Sequence, residues 1–167
     1  IEHKNSWYKR NEHFIAEISD LELEILKNIS YYSMSTPANH WAIIQSIKHI
    51  KENSIKGDLV ECGVWRGGNL ILFKKLIDQH KLDKKIFAFD TFEGMPEPTI
   101  NDYDLKDIKA QQIYDNYKTK DIKWCYSTLE EVKKNIFKFC PDYDESFKFI
   151  EGKVETTLKN SKNLQEI

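Results

Sequence analysis

The chain has 167 residues, 40% of them hydrophobic, which is enough for one domain with a real core, and nothing in it suggests a second. A formal charge of −2, with acids and bases interspersed, leaves no basic stripe for nucleic acid and no polybasic patch for a membrane, so small molecules are the expected partners. No apolar run approaches the roughly 18 residues of a membrane-spanning helix, and Ile1-Glu2-His3-Lys4-Asn5 is not a secretory signal, so a soluble, cytoplasmic protein is expected.

Between Ser19 and Ile29 the residues Leu21, Ile25 and Ile29, with Leu23 and Leu26, repeat near helical spacing, and Ser19 or Asp20 can cap the start. Tyr31 to Ser35 reads as a loop. Ser35 or Thr36 before Pro37 reads as the N-cap of a second helix, with Trp41, Ile44, Ile47 and Ile50 on its buried face and Gly57-Asp58 ending it. The run Leu59 to Cys62 then passes through a glycine-bearing turn into an amphipathic stretch, which predicts strand, tight turn and helix. Leu70, Phe73, Leu76 and Ile77 give that helix an apolar face, with Lys74, Lys75 and Asp78 facing water. Lys85 to Phe89 is a nearly continuous apolar run, as in strands covered on both faces, and ends at Asp90.

The turn and Asp90 form one candidate site. Gly63 and Gly67 lack the Cβ that would hold a ligand off the backbone, and Asp90 stands twenty-two residues beyond Gly68, where a doubly wound fold offers an acid to ribose hydroxyls. The pattern Glu-x-Gly-x-x-x-Gly-Gly departs from the dinucleotide fingerprint by placing Glu61 two residues before the first glycine. A carboxylate there repels phosphate and suits a ligand with positive charge near the turn, such as the amino group and sulfonium of S-adenosylmethionine. The alternative is a plain strand-to-helix turn.

From Phe92 to about Lys123 runs a polar excursion, read as a lid or substrate-side wall carrying Tyr103, Tyr114 and Tyr117, against the alternative of a solvated surface helix. Ser127-Thr128-Leu129-Glu130 reads as a capping box with Ser127 at the N-cap, opening a helix with Leu129, Val132, Ile136 and Phe139 on one face. Phe147 to Ile150 reads as a third strand with Glu151-Gly152 at its carboxyl end, on the rim where open α/β sheets bind ligands. Cys62, Cys125 and Cys140 fall in no paired spacing, and Cys62 is expected to be a buried apolar residue; the five histidines show no metal spacing and are expected on solvated surfaces.

Glu61-Cys62-Gly63-Val64-Trp65-Arg66-Gly67-Gly68 resembles the E-[TC]-G-V-W-R-G-G signature of macrocin-type O-methyltransferases, and Phe89-Asp90-Thr91-Phe92-Glu93-Gly94-Met95-Pro96 resembles their D-[ST]-F-x-G-[LM]-P segment. The resemblance implies an α/β, Rossmann-like class I methyltransferase fold. It implies S-adenosylmethionine as cofactor, and a divalent metal, usually magnesium, that holds a substrate hydroxyl pair in the intact protein. It places Glu61, Gly63, Val64, Trp65, Arg66, Gly67, Gly68, Asp90, Thr91 and Phe92 at the cofactor. Met34, in a loop similar to the family's Y-[ST]-M-[TS], is a cofactor contact or a core filler. Ser127 is first a helix cap and second a cofactor contact, and Glu151 and Gly152 match a short segment that borders the adenine.

The family's metal-bearing R-L-D-x-D and D-D-Y segments do not occur, so no metal ligand or catalytic residue is assigned. The chain is therefore expected to be a fragment, truncated to the half that carries the first three parallel strands, with helices over 1–56 and the half-sheet over 57–167. The first strand would then be an open edge, with Val60 and Phe87 uncovered. The expected function is methyl transfer to a hydroxyl of a small molecule, a sugar or a glycosylated natural product. The alternative is a nucleotide- or cofactor-binding module without transferase chemistry. A homo-oligomer stays open.

Overall fold

The structure, a computed structural model, describes residues 17–104, 106–143 and 145–160. Among the described residues six helices and three strands follow in the order α1 (Asp20–Ile29), α2 (Pro37–Glu52), β1 (Leu59–Cys62), α3 (Gly68–His80), β2 (Ile86–Asp90), α4 (Ala110–Lys118), α5 (Leu129–Phe139), β3 (Phe147–Glu151) and α6 (Val154–Asn160). The strands form one parallel sheet in the order β1-β2-β3, with Leu59 opposite Ile86 and Asp90 opposite Glu151. This is the expected α/β arrangement, and all three strands end on one rim.

Helix α3 holds the layers together. It packs on β2 and carries α1, α2 and α5 around it, burying Leu70, Ile71, Leu72, Leu76 and Ile77. Ile86 and Ala88 of β2 join that cluster with Ile44, Ile47, Val132 and Ile136, while Phe87 and Phe89, alternating to the other face, are buried too. Phe87, only 8% exposed, departs from the expectation that this face lies open. Val60 on edge strand β1 is half-buried.

Local chemistry explains most boundaries. Ser19 caps α1 in a reciprocal box with Glu22, and Thr36 caps α2 before Pro37. Glu22, rather than Leu21, faces inward, because Lys48 of α2 meets its carboxylate at 2.8 Å. Several expectations are corrected. The end of α2 is Asn53, whose N–H reaches back to the His49 carbonyl, so Gly57-Asp58 lies beyond it. The cap of α5 is Thr128, not Ser127: of two adjacent hydroxyls, it is Thr128 whose backbone is extended and whose Oγ1 accepts from the Glu131 N–H. Lys74 is buried, its stem lying along the helix and its ammonium paired with Asp78. Cys62 is exposed, because β1 borders the sheet and is covered on one side only. His40 is 1% exposed, while His49 lies at the surface as expected; His3 and His13 fall outside the described residues.

The excursion after β2 contains a bridge between Tyr103 and Lys109 and then α4, which buries none of its residues. Its base is closed where the Met95 N–H donates to the Trp124 carbonyl at 2.9 Å, and Tyr117 stacks on Trp124. Among the described residues no helix is long and apolar enough to cross a membrane.

Candidate cofactor site

The β1–α3 turn is built from left-handed backbone. Gly63 (φ +82°), Trp65 (φ +46°) and Gly67 (φ +83°) alternate with ordinary residues, so the chain reverses within a few residues and opens α3 at Gly68. Successive N–H groups of the turn point toward β2, where Asp90 meets them. Its Oδ2 accepts from Val64 at 2.6 Å and from Trp65 at 3.3 Å, while Oδ1 accepts from Phe92 at 2.8 Å. Phe92 is itself left-handed at φ +53° and buried. Asp90 thus ties two strained turns together. A carboxylate offers about four lone-pair positions, so three are engaged by backbone and one, on Oδ1, remains.

The three glycines of the signature serve different ends. A Cβ on Gly63 would meet nothing within 4 Å, so open space lies in front of that residue. A Cβ on Gly68 would fall 2.6 Å from the Tyr32 backbone and from the Ser33 side chain, and one on Gly67 would fall 3.1 Å from Val132. Those two positions are occupied by protein. Gly68 lets the Tyr32–Ser33 loop lie against the first turn of α3, where its N–H donates to the Tyr32 carbonyl at 2.8 Å.

Glu61 stands at the end of β1 with one carboxylate oxygen satisfied and one not. Oε1 accepts from Asn69 Nδ2 at 2.9 Å, whereas Oε2 is buried without a partner. Burial raises its pKa to about 8, against the lowering influence of Asn69 and with a further rise from the Asp90 charge. A buried acceptor left in this state costs free energy until a donor, best a cation, arrives.

The remaining candidates divide between the rim and its supports. Glu151, exposed, is paired with Asp90 across the sheet, and the Gly152 N–H donates to the Asp90 carbonyl at 2.9 Å. Thr91 caps its own turn by accepting from Glu93 N–H. Arg66 is held between aromatic rings and an acid: its guanidinium lies 4.9 Å from the Tyr31 ring centre and 5.2 Å from that of Trp65, with Nε 3.4 Å from Glu131. It clamps loop and α5 to the turn. Met34 is 59% exposed, which rules out its filling the core, and its sulfur lies 3.9 Å from that of Cys125 across the gap between the two loops. Ser127 is buried with a hydroxyl that has no partner. Among the described residues no three His, Cys, Asp or Glu side chains are grouped so as to hold a metal ion.

Three residues that sequence reasoning passed over complete the surroundings of Glu61. Ser33 Oγ, Asn69 and His40 Nε2 form a hydrogen-bonded line ending at its carboxylate. A signal for His40 was present, since positions 40, 44 and 47 share one face of α2 and the latter two are core isoleucines.

Comparison with known proteins gives these residues a setting. The chain is 29% identical over 117 residues to demethyldecarbamoylnovobiocin O-methyltransferase of Streptomyces niveus, covering 70% of this chain and 42% of that protein. It is 26% identical over 113 residues to 8-demethyl-8-(2,3-dimethoxy-alpha-L-rhamnosyl)-tetracenomycin-C 4'-O-methyltransferase of Streptomyces olivaceus, covering 67% and 40%. The chain spans less than half the length of these curated relatives. Among solved structures, the O-methyltransferase NovP superposes with a TM-score of 0.61 at 26% identity, over 78% of this chain and 51% of that one. Residues 30–166 match the macrocin O-methyltransferase (TylF) family along a stretch that includes the glycine turn, Asp90 and the rim, and the chain belongs to that family.

Proposed function

We infer that this chain carries the cofactor site of an S-adenosylmethionine-dependent O-methyltransferase whose acceptor is a hydroxyl of a small molecule, a sugar or a glycosylated natural product. The observation that carries the reading is Glu61 Oε2, buried and unpartnered beside the open space in front of Gly63. An ammonium group satisfies that oxygen and restores the ionised carboxylate; a phosphate would not. The residues fit this cofactor, which when bound supplies an electrophilic methyl carbon. Glu61 binds its amino group, Gly63 admits it to the backbone, and the free position on Asp90 Oδ1 accepts one ribose hydroxyl. Val64, Trp65, Thr91, Phe92, Glu151 and Gly152 are read as the remaining wall, with Met34 and Ser127 at its margins. The two relatives, a demethyldecarbamoylnovobiocin O-methyltransferase and a rhamnosyl-tetracenomycin-C 4'-O-methyltransferase, support the acceptor class. A divalent metal is expected from the family.

Calorimetry of the intact protein with S-adenosylmethionine and S-adenosylhomocysteine tests the reading. Saturable one-to-one binding of both is expected. Binding of neither would refute it.

A further inference from the structure

The line of polar side chains behind Glu61 takes its direction from the carboxylate: ionised Glu61 can only accept, so Asn69 turns its amide N–H groups toward it and its carbonyl toward Ser33. Ser33 Oγ carries a single hydrogen and gives it to Asn69 Oδ1 at 3.1 Å. It also receives the Ser35 N–H at 3.1 Å. His40 Nε2, 3.0 Å away, must therefore be a donor. Asn69, held with Oδ1 toward Ser33, presents its two amide hydrogens to Ser35 Oγ at 3.1 Å and to Glu61 Oε1 at 2.9 Å. Were His40 to accept instead, Ser33 would turn its hydrogen to the ring. Asn69 could then rotate end for end and set a carbonyl oxygen against the carboxylate.

Resting on the reading of Glu61 as the ammonium partner of the cofactor, we propose that His40 is a positioning residue that acts through Ser33 and Asn69 to hold one Glu61 oxygen and leave the other for the ligand. The frame around this line is rigid. His40 is buried on α2 beside Ile44, and the missing Cβ of Gly68 seats Ser33 on the first turn of α3. Burial lowers the pKa of His40 to about 4, while the nearby Asn69 amide opposes the fall; the ring is neutral at physiological pH, and Nε2 holds the proton. The bonds of Ser33 and Asn69 run to Ser35 and Glu61, on the side where the amino acid half of the cofactor would bind, so the influence of His40 would be confined to that half.

That confinement supplies the test. Binding of S-adenosylhomocysteine, which carries the ammonium, is compared with that of 5′-methylthioadenosine, which lacks it, in the intact protein and in His40→Leu, His40→Gln, Ser33→Ala and Glu61→Gln. His40→Leu and Ser33→Ala are expected to weaken S-adenosylhomocysteine by about tenfold and to leave methylthioadenosine within about twofold. His40→Gln, whose amide can place an N–H near the same point, is expected to recover most of the loss. Equal loss for both ligands would show a merely structural role and overturn the proposal, as would unchanged binding of both. If Glu61→Gln abolishes the preference for the ammonium ligand while His40→Leu and Ser33→Ala keep it, the cofactor reading stands and the positioning role falls. If the unsubstituted protein binds neither ligand, both fall. Should His40→Leu fail to fold, Ser33→Ala, in a half-exposed loop, decides alone.

Discussion

Replacing Glu61 by Gln removes a charge and almost nothing else, and it should move stability and binding in opposite directions. In the ligand-free protein the Glu61 carboxyl has its pKa raised from 4.5 to about 8, by burial first and by Asp90 second. Because the folded value lies above the unfolded one, ionisation opposes folding: the penalty is absent below about pH 4.5, grows through neutrality and levels off above about pH 8. At about 1.4 kcal/mol per pH unit the ceiling at pH 7 is about 3 kcal/mol, and water reaching this half-buried residue reduces that to about 1–2 kcal/mol. Glutamine escapes the penalty while its carbonyl still accepts from Asn69. Urea denaturation of the ligand-free intact protein should give Glu61→Gln equal stability near pH 4.5 and a gain of about 1–2 kcal/mol at pH 7 and above. The same variant should lose at least about tenfold in affinity for S-adenosylmethionine, since hydrogen bonds to charged groups are worth about 1.5–3 kcal/mol. A variant no more stable than the parent at pH 8 would refute the claim that a buried, unpaired carboxylate waits at this position.

Other substitutions separate the roles of neighbouring residues. Gly68→Ala should destabilise by about 1–3 kcal/mol, seen as a lower melting temperature, because its Cβ would fall 2.6 Å from the Tyr32 backbone; an unchanged melting point would show that the loop is not seated there. Gly63→Ala meets no atom and should cost only about 1 kcal/mol for its left-handed backbone while reducing cofactor affinity, and normal affinity would remove Gly63 from the site. Asp90→Asn exchanges an acceptor of three backbone N–H groups for an amide that satisfies them poorly, so stability should fall by about 1–3 kcal/mol together with cofactor binding; loss of binding alone would mean that Asp90 serves the ligand and not the turns. Glu22, although burial pushes its pKa up, is held below the usual carboxylate value by Lys48 and Ser19. Its contribution is therefore present above the unfolded pKa and lost as pH falls. Lys48→Met should cost about 3 kcal/mol at pH 7 and much less near pH 3, and a pH-independent cost would contradict this.

What could be read from the chain beforehand was whatever is written locally. Leu59 to Cys62, the run ending at Asp90, and Phe147 to Ile150 are short apolar segments bounded by glycine or charge, and each became a strand in the expected parallel order. The Glu61 to Gly68 signature was visible for the same reason. Long-range choices were not. That Asp90 would be claimed by Val64, Trp65 and Phe92 depends on how two turns meet. That Gly68 makes room for Tyr32 and Gly63 for nothing at all depends on packing between segments more than thirty residues apart. His40 departs from the solvated-surface expectation because it shares a helical face with Ile44 and Ile47, and Ser127 from the cap expectation because two neighbouring hydroxyls compete for one cap and only backbone angles choose between them.

The closure at the foot of the excursion has a consequence for how the fold tolerates change. With Met95 joined to Trp124 by a backbone hydrogen bond and α4 burying no residue, the chain leaves the rim and returns to it through a single gate. Whatever lies between contributes to the stability of the sheet chiefly through the entropy of closing a loop, which changes by only about 0.6 kcal/mol for each doubling of length. The segment between them can therefore be lengthened, shortened or rewritten at little cost to the sheet, so its sequence is free to change while the glycine turn and Asp90 stay as they are.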